Sequence, residues 1–380
     1  MIHEKEQLKP FTLQPRMTRK LVRTAVIGTS PWAELMHYWG LKNREEVEFV
    51  AICGKNLQKC SELAKKFDVP YFFNDYREML RKINPEVVII VTPHFEHKIM
   101  TLDCLENGSH VICEKPLGLN QEEAKELFQT AEKFKRKHLT FYTLRGTPGI
   151  RYIKKMIEEE SIGRCFHISI SYLSGSWQDL NRPGTWKMKN SFAGGGALID
   201  RGSHIFDLLH WWFSPIKRVI GNLTTFGKTR SMPNGDDKVD TDDASSILAT
   251  LESGEQASIQ VSRVAGGWKN HLRIEIYGSK GSLVFENEDA NAKLGKIWGA
   301  TNNQKSFQLI DIPKKFQEEW NEKHPSPGIH KCLTNSFFES IRDNTIKVSP
   351  NFEDGWHIQK IICAIKKSFQ SKNWEELESK

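Results

Sequence analysis

Thr24-Ala25-Val26-Ile27-Gly28-Thr29-Ser30-Pro31-Trp32-Ala33 is an apolar run cut off by glycine, then a polar turn, then the start of a helical segment. Four consecutive apolar or small residues with no polar alternation predict a strand buried on both faces. The same reading recurs downstream at Val47 to Cys53, at Val87-Val88-Ile89-Ile90-Val91, at Val111-Ile112-Cys113, at Leu139 to Tyr142 and, less purely, at Tyr71-Phe72-Phe73. Helix-period segments lie between them: Leu57 to Phe67, Phe95 to Asn107 stopped by Gly108, and Gln121 to Lys137. The last opens with Asn120 followed by Glu123, the spacing of a capping box. Continuous apolar strands alternating with helices predict an α/β doubly wound parallel sheet over residues 21–145.

Such sheets bind ligands outside the carboxyl ends of their strands, where the strand order reverses. Polar and glycine residues gather at those ends here: Gly28-Thr29-Ser30, Gly54-Lys55-Asn56, Thr92-Pro93-His94, Glu114-Lys115-Pro116 and Thr143-Leu144-Arg145. The first turn reads G-x-S-x-x-A from Gly28 through Ser30 to Ala33, a dinucleotide fingerprint with its middle glycine replaced by serine. Gly28, Thr29, Ser30, Trp32 and Ala33 are therefore expected to hold a pyrophosphate, with Pro31 suited to a first helical turn. An acid about twenty residues on would bond the ribose and select NAD. The second strand instead ends in Cys53-Gly54-Lys55-Asn56. A gap at Gly54 beside the Lys55 cation favours NADP over NAD.

A second focus is Gly194-Gly195-Gly196-Ala197-Leu198-Ile199-Asp200-Arg201-Gly202-Ser203-His204-Ile205-Phe206-Asp207. On a helix, Asp200 and His204 share a face, and a neutral imidazole can give or take a proton near neutral pH. The glycines allow a ligand or another element to approach closely. Thr92-Pro93-x-x-x-His97, Glu114-Lys115-Pro116 and Gly194-Gly195-Gly196-x-x-x-Asp200-x-Gly202-x-His204, in that order, resemble the Gfo/Idh/MocA oxidoreductases over residues 22 to about 370. Arg145-x-x-Pro148 and Trp186-Lys187 are also similar to that family's pattern; Ser30 for glycine and Lys187 for arginine depart from it. The resemblance implies a nicotinamide cofactor, NADP or NAD, and hydride transfer at a hydroxyl or carbonyl carbon of a sugar, cyclitol or related polyol. It also implies Lys115 near the nicotinamide behind a cis Lys115–Pro116 bond, His204 as the acid-base residue, and Asp200 as its neighbour. Thr92, Pro93, His94, His97, Glu114, Arg145, Trp186 and Lys187 are implied around the cofactor. Two other activities share the fold: a glycosidase acting by transient oxidation and elimination, and a non-catalytic sensor. Lys115, Asp200 and His204 together argue against the sensor.

Composition fits this outline. The chain has 380 residues, 38% hydrophobic and 27% charged, with a formal charge of +7, which suits two folded domains. No Lys/Arg run points to nucleic acid, and no window spans a membrane. Seven scattered cysteines without a C-x-x-C pair indicate reduced thiols and a cytoplasmic location. Residues 1–20 read as a polar arm. Residues 146–380 read as a second domain, α+β, with a largely antiparallel sheet on strands from Gly163 to Tyr172, Lys217 to Phe226, Ala244 to Leu251, Gln256 to Arg263, Leu272 to Tyr277 and Ser282 to Phe285. Two helices, about Lys331 to Asp343 and Phe352 to Gln370, are expected to complete it. The polar stretch Leu173 to Ser191 is a candidate lid. The acidic run Asp236, Asp237, Asp240, Asp242 and Asp243 lacks calcium-loop spacing and is expected to be a solvated loop; no metal site is expected. An uncovered sheet face predicts a homodimer or homotetramer.

Overall fold

A computed structural model describes residues 20–232, 235–290 and 294–378. The arm expected over residues 1–20 therefore lies, apart from Lys20, outside the described residues. Six strands, β1 (Val22–Ile27), β2 (Val47–Cys53), β3 (Tyr71–Phe73), β4 (Val87–Ile90), β5 (His110–Glu114) and β6 (His138–Phe141), form one sheet in the order β3-β2-β1-β4-β5-β6. Every neighbouring pair is parallel. The order reverses between β1 and β4, so a crevice opens beyond Ile27 and Ile90, where a doubly wound sheet binds its ligand. The connecting helices are α1 (Trp39–Lys42), entered through a wide π-helical turn Ala33–Tyr38, then α2 (Leu57–Phe67), α3 (Tyr76–Ile83), α4 (His94–Glu106) and α5 (Gln121–Lys133). Asn120 caps α5 by accepting from the Glu123 amide, while the Glu123 carboxylate accepts from the Leu119 amide rather than closing the box on Asn120.

Helix α6 (Pro148–Glu158) leads into the second half, where the short α7 (Asn190–Ala193) follows. Its strands are β7 (Cys165–Leu173), β8 (Ile216–Thr224), β11 (Ala244–Leu251), β12 (Gln256–Ser262), β13 (His271–Gly278), β14 (Gly281–Asn287), β15 (Lys296–Thr301), β16 (Gln308–Ile310) and β17 (Glu375–Glu376), with a separate hairpin of β9 (Thr229–Met232) and β10 (Gly235–Lys238). The described strands order as β16-β15-β14-β13-β7-β12-β11-β8-β17, antiparallel throughout except for the β12–β7 pair. Buried and exposed residues alternate along β11 and β12, so one face is covered and the other open. The covered face packs against α6, against α8 (Ser203–Trp212) and against the last helix, α10 (Phe352–Ser371), through Ile150, Ile205, Phe206, Ile358 and Ile362.

Three expectations need correction. The helix expected from Lys331 starts earlier, as α9 (Pro325–Ser340); Pro325 and Pro327 lie in its first turn, where proline's missing N–H is tolerated. It does not complete the second sheet either. Ile329, Leu333, Phe337 and Phe338 pack with Ile52, Ile89 and Phe141 of the first. The acidic run is solvated only in part: Asp237 and Asp240 are exposed, whereas Asp242 and Asp243 are buried. The Asp243 carboxylate accepts from the Phe226 and Gly227 amides and from Arg263. Among the described residues no helix is long and apolar enough to cross a membrane.

The two halves are joined by a buried ion pair. Arg145, just after β6, donates from Nε and Nη2 to the two oxygens of Asp207 on α8, at 2.8 and 2.6 Å, and from Nη1 to Ser349 Oγ. Removing one partner of such a pair leaves an uncompensated buried charge and costs about 3–5 kcal/mol. Asp207→Ala is therefore expected to lower unfolding stability by about that amount, measured by guanidinium denaturation; an unchanged midpoint would mean that the pair does not hold the halves together.

Candidate active site

The cleft at the switch point is about 480 Å³ and runs between the two halves. From the first half it is lined by Ser30, Trp32, Val91, Thr92, Pro93, His94, Glu114, Lys115 and Thr143. From the second half come Tyr172, Trp186, Lys187, Asp200, Arg201, His204 and Asn270. Eleven of the residues singled out in the sequence thus meet in one place: Ser30, Trp32, Thr92, Pro93, His94, Glu114, Lys115, Trp186, Lys187, Asp200 and His204.

The first turn is built for close approach. Gly28 has φ of +134°, and a Cβ there would lie 2.2 Å from the Val91 carbonyl oxygen, so only glycine fits. Among the described residues neither the Thr29 nor the Ser30 amide has a protein acceptor. Ser30 Oγ accepts from the Ala33 amide and caps the turn, which accounts for a hydroxyl where the fingerprint has glycine. A glycine cradle, two free amides and the switch-point crevice fit a dinucleotide pyrophosphate.

Glu114 anchors the loop that carries Lys115. Trp32 Nε1 donates to its Oε1 at 2.6 Å, His37 Nε2 lies 3.0 Å from the same oxygen, and the Lys115 amide donates to Oε2. The Lys115–Pro116 bond is cis. Lys115 Nζ crosses the cleft to donate to the backbone oxygen of Asp200 at 2.7 Å and to its Oδ1 at 2.9 Å.

Asp200 lies in a wide π-helical turn, Leu198–Gly202, that runs directly into α8. Two of the three glycines before it, Gly194 and Gly196, admit protein rather than ligand; a Cβ on Gly194 would fall 2.8 Å from the Leu119 carbonyl oxygen. A Cβ on Gly196 would fall 1.8 Å from the Asp242 carbonyl oxygen, and the Asp242 carboxylate accepts from the Gly196 and Leu198 amides. Arg201 Nη1 and Lys187 Nζ stand 3.2 and 3.9 Å from the Asp200 carboxylate. Burial would raise its pKa, but the cations of Lys115, Lys187 and Arg201 outweigh burial and hold it well below the usual carboxylate range. His204, one turn on, is pushed well below the usual imidazole value by burial and then by Lys115, against the opposing pull of Asp200. Its ring is neutral at physiological pH, and its Nδ1 is buried without a partner.

Other sequence candidates stand beside the cleft in supporting places. Ala33 is buried under the first turn. The Asn56 side chain caps α2 by accepting from the Lys59 amide. His97 is buried with its ring nitrogens 2.8 and 3.0 Å from the Pro116 and Thr92 carbonyl oxygens. Arg145, expected at the cofactor, is instead engaged by Asp207 outside the cleft. The gap expected at Gly54 is filled by Thr29, whose Cγ2 would lie 2.6 Å from a Cβ there. Lys55 Nζ is not free either: it is 2.5 Å from Glu96 Oε1 on α4. The sequence reading placed Thr143 at the crevice without a role and missed Arg201, Tyr172 and Asn270; Arg201 sits inside the quoted D-x-G-x-H stretch as an unassigned x.

The stretch 173–191 is strapped down. Trp177 and Met188 are buried with Val239, and Arg230 donates to the Trp177, Asp179 and Arg182 carbonyl oxygens. It also reaches the first half: the His94 ring meets Trp186 edge-on, and His94 Nδ1 donates to the Ala193 carbonyl at 2.8 Å.

Two family models match the chain: the oxidoreductase family with an NAD-binding Rossmann fold over residues 22–142, and the GFO/IDH/MocA C-terminal domain over residues 150–284. Levoglucosan dehydrogenase of Pseudarthrobacter phenanthrenivorans is 28% identical over 86% of this chain and 88% of its own length. D-glucoside 3-dehydrogenase of Escherichia coli is 29% identical over 51% of this chain and 55% of its own. The solved levoglucosan dehydrogenase complex with NADH and levoglucosan superposes with a TM-score of 0.87 at 25% identity, covering 95% of this chain and all of the other.

Because Lys115 is among the groups that depress His204, Lys115→Met is expected to raise the imidazole pKa, whereas Asp200→Asn is expected to lower it further. Histidine ring NMR across a pH titration reads both directions; an unshifted His204 in Lys115→Met would contradict the electrostatic coupling.

Proposed function

We propose that this chain, which belongs to the Gfo/Idh/MocA family of NAD-binding oxidoreductases, oxidises a secondary hydroxyl of a sugar or related polyol, or reduces the matching ketone. The observation that carries this reading is the convergence of Lys115, Asp200 and His204 on one cleft beside the Gly28 turn. The nicotinamide, when bound, supplies the hydride acceptor or donor. The chain's own groups manage the proton. His204 is neutral, and its buried Nδ1 leaves Nε2 as the position that takes the hydroxyl proton during oxidation or returns it during reduction. Lys115 Nζ steadies the developing negative charge on the substrate oxygen, because an ammonium in a partly buried cleft acts through a lower dielectric than in water. Asp200 aims that ammonium through two hydrogen bonds. Thr92, Pro93, His94, Glu114, Trp32 and Trp186 would flank the cofactor; Arg201, Lys187, Tyr172 and Asn270 would face the substrate. Levoglucosan and D-glucoside dehydrogenases among the relatives support a pyranose ring as substrate.

The cofactor is a nicotinamide dinucleotide. The sequence favours NADP through Lys55, an argument that needs that ammonium free; its pairing with Glu96 transfers the choice between NAD and NADP to the pair. The unpaired cysteines support a reducing, cytoplasmic setting. The open face of the second sheet, where Leu248 and Phe166 are exposed, supports a homodimer or homotetramer. Sedimentation of Leu248→Asp is expected to shift that assembly toward monomer; an unaltered profile would move the interface elsewhere.

Lys115→Ala and His204→Ala are each expected to reduce turnover by about 10²–10⁴-fold on a panel of levoglucosan, D-glucosides and glucose 6-phosphate, with NADH still bound by fluorescence. Turnover close to that of the unmodified protein in either variant would remove that residue from the mechanism.

A further inference from the structure

The doubly wound fold reads the adenosine ribose with a carboxylate at the end of its second strand, and this chain has none there, since β2 ends in Cys53-Gly54-Lys55. A carboxylate nevertheless reaches the same corner from the opposite side of the switch point. Glu96, in the first turn of α4 after β4, places Oε1 2.5 Å from Lys55 Nζ. The Glu96 side chain is largely enclosed, at 12% exposure, while Lys55 is 79% exposed with its ammonium 5.9 Å from the centre of the Phe95 ring. The acid is thus the fixed member of the pair and the lysine the mobile one. Thr29 fills the space beside Gly54 and narrows the corner further.

We propose that Glu96 selects NAD over NADP in this chain. The inference rests on the nicotinamide reading above. A ribose bearing free hydroxyls can donate to the fixed carboxylate, as it does to the usual acid of the second strand. A 2′-phosphate brings about two negative charges to within a few ångströms of that carboxylate. The single Lys55 cation is already neutralised by Glu96, so it cannot offset the repulsion without breaking its ion pair. Lys55 is in this reading a partner that holds the selector in place.

Titrating the purified protein with NADH and with NADPH, followed by nicotinamide fluorescence, tests this without knowledge of the substrate. The unmodified protein is expected to bind NADH at least tenfold more tightly than NADPH. Glu96→Gln, which keeps the shape and removes the charge, is expected to tighten NADPH about tenfold, the scale of one like-charge contact in a partly screened site, and to weaken NADH several-fold. Adding Lys55→Ala to Glu96→Gln is expected to reduce but not abolish the NADPH gain, because the relief of repulsion remains when the released ammonium is removed. Equal affinities in the unmodified protein, or a Glu96→Gln variant with unchanged selectivity, would overturn the proposal while leaving the cofactor class intact. Failure of both dinucleotides to bind would overturn the cofactor reading and this inference together.

Discussion

The cleft exists as a site because one lysine spans it. Lys115 leaves the carboxyl end of β5 in the first half and ends on both the backbone and the carboxylate of Asp200 in the second. A partly buried ion pair holds its geometry only when each end is also fixed by its own domain. Both are. Glu114 fastens the lysine's loop to Trp32 and His37, and Asp242 fastens the turn bearing Asp200 through Gly196 and Leu198. The distance between the two domains at this point is therefore a property of two independently braced loops.

The same charges set the chemistry. Three cations surround one carboxylate at the cleft, and burial first, then Lys115 and Arg201 among them, disfavours the imidazolium of His204 against the opposing pull of Asp200. An imidazole can accept a proton only while one ring nitrogen keeps its lone pair unprotonated, and burial together with the neighbouring cations maintains that condition. The arrangement also explains why Arg201 belongs in the site although its neighbours Asp200 and Gly202 were the more visible signals. Its guanidinium ties Asp200 to Ser174 at the start of the strapped 173–191 stretch.

The first sheet was legible because buried parallel strands are written as unbroken apolar runs such as Val87–Val91, and because their carboxyl ends carry the polar residues. The cleft was legible where motif residues act through side chains of distinctive chemistry, as Lys115, Asp200 and His204 do. It was not legible where residues act through partners distant in sequence. Nothing near Asp242 or Asp243 discloses that both carboxylates are buried against backbone amides of residues 196–198 and 226–227. Lys55 read alone is an exposed cation; its meaning changes only when α4 brings Glu96 beside it. Arg145 read alone is a cation near the cofactor crevice; the partner that engages it, Asp207, comes from the other domain.

The packing of α9 has a consequence for how the molecule is made. Ile329, Leu333, Phe337 and Phe338 cover apolar surface of a sheet whose last strand ends at Phe141. A ribosome emits the nucleotide-binding sheet early, yet the strip that seals it emerges only after the whole second sheet up to β16 has been synthesised. Until then that apolar face of the first half has no cover from its own chain, the kind of transient exposure that favours aggregation during synthesis.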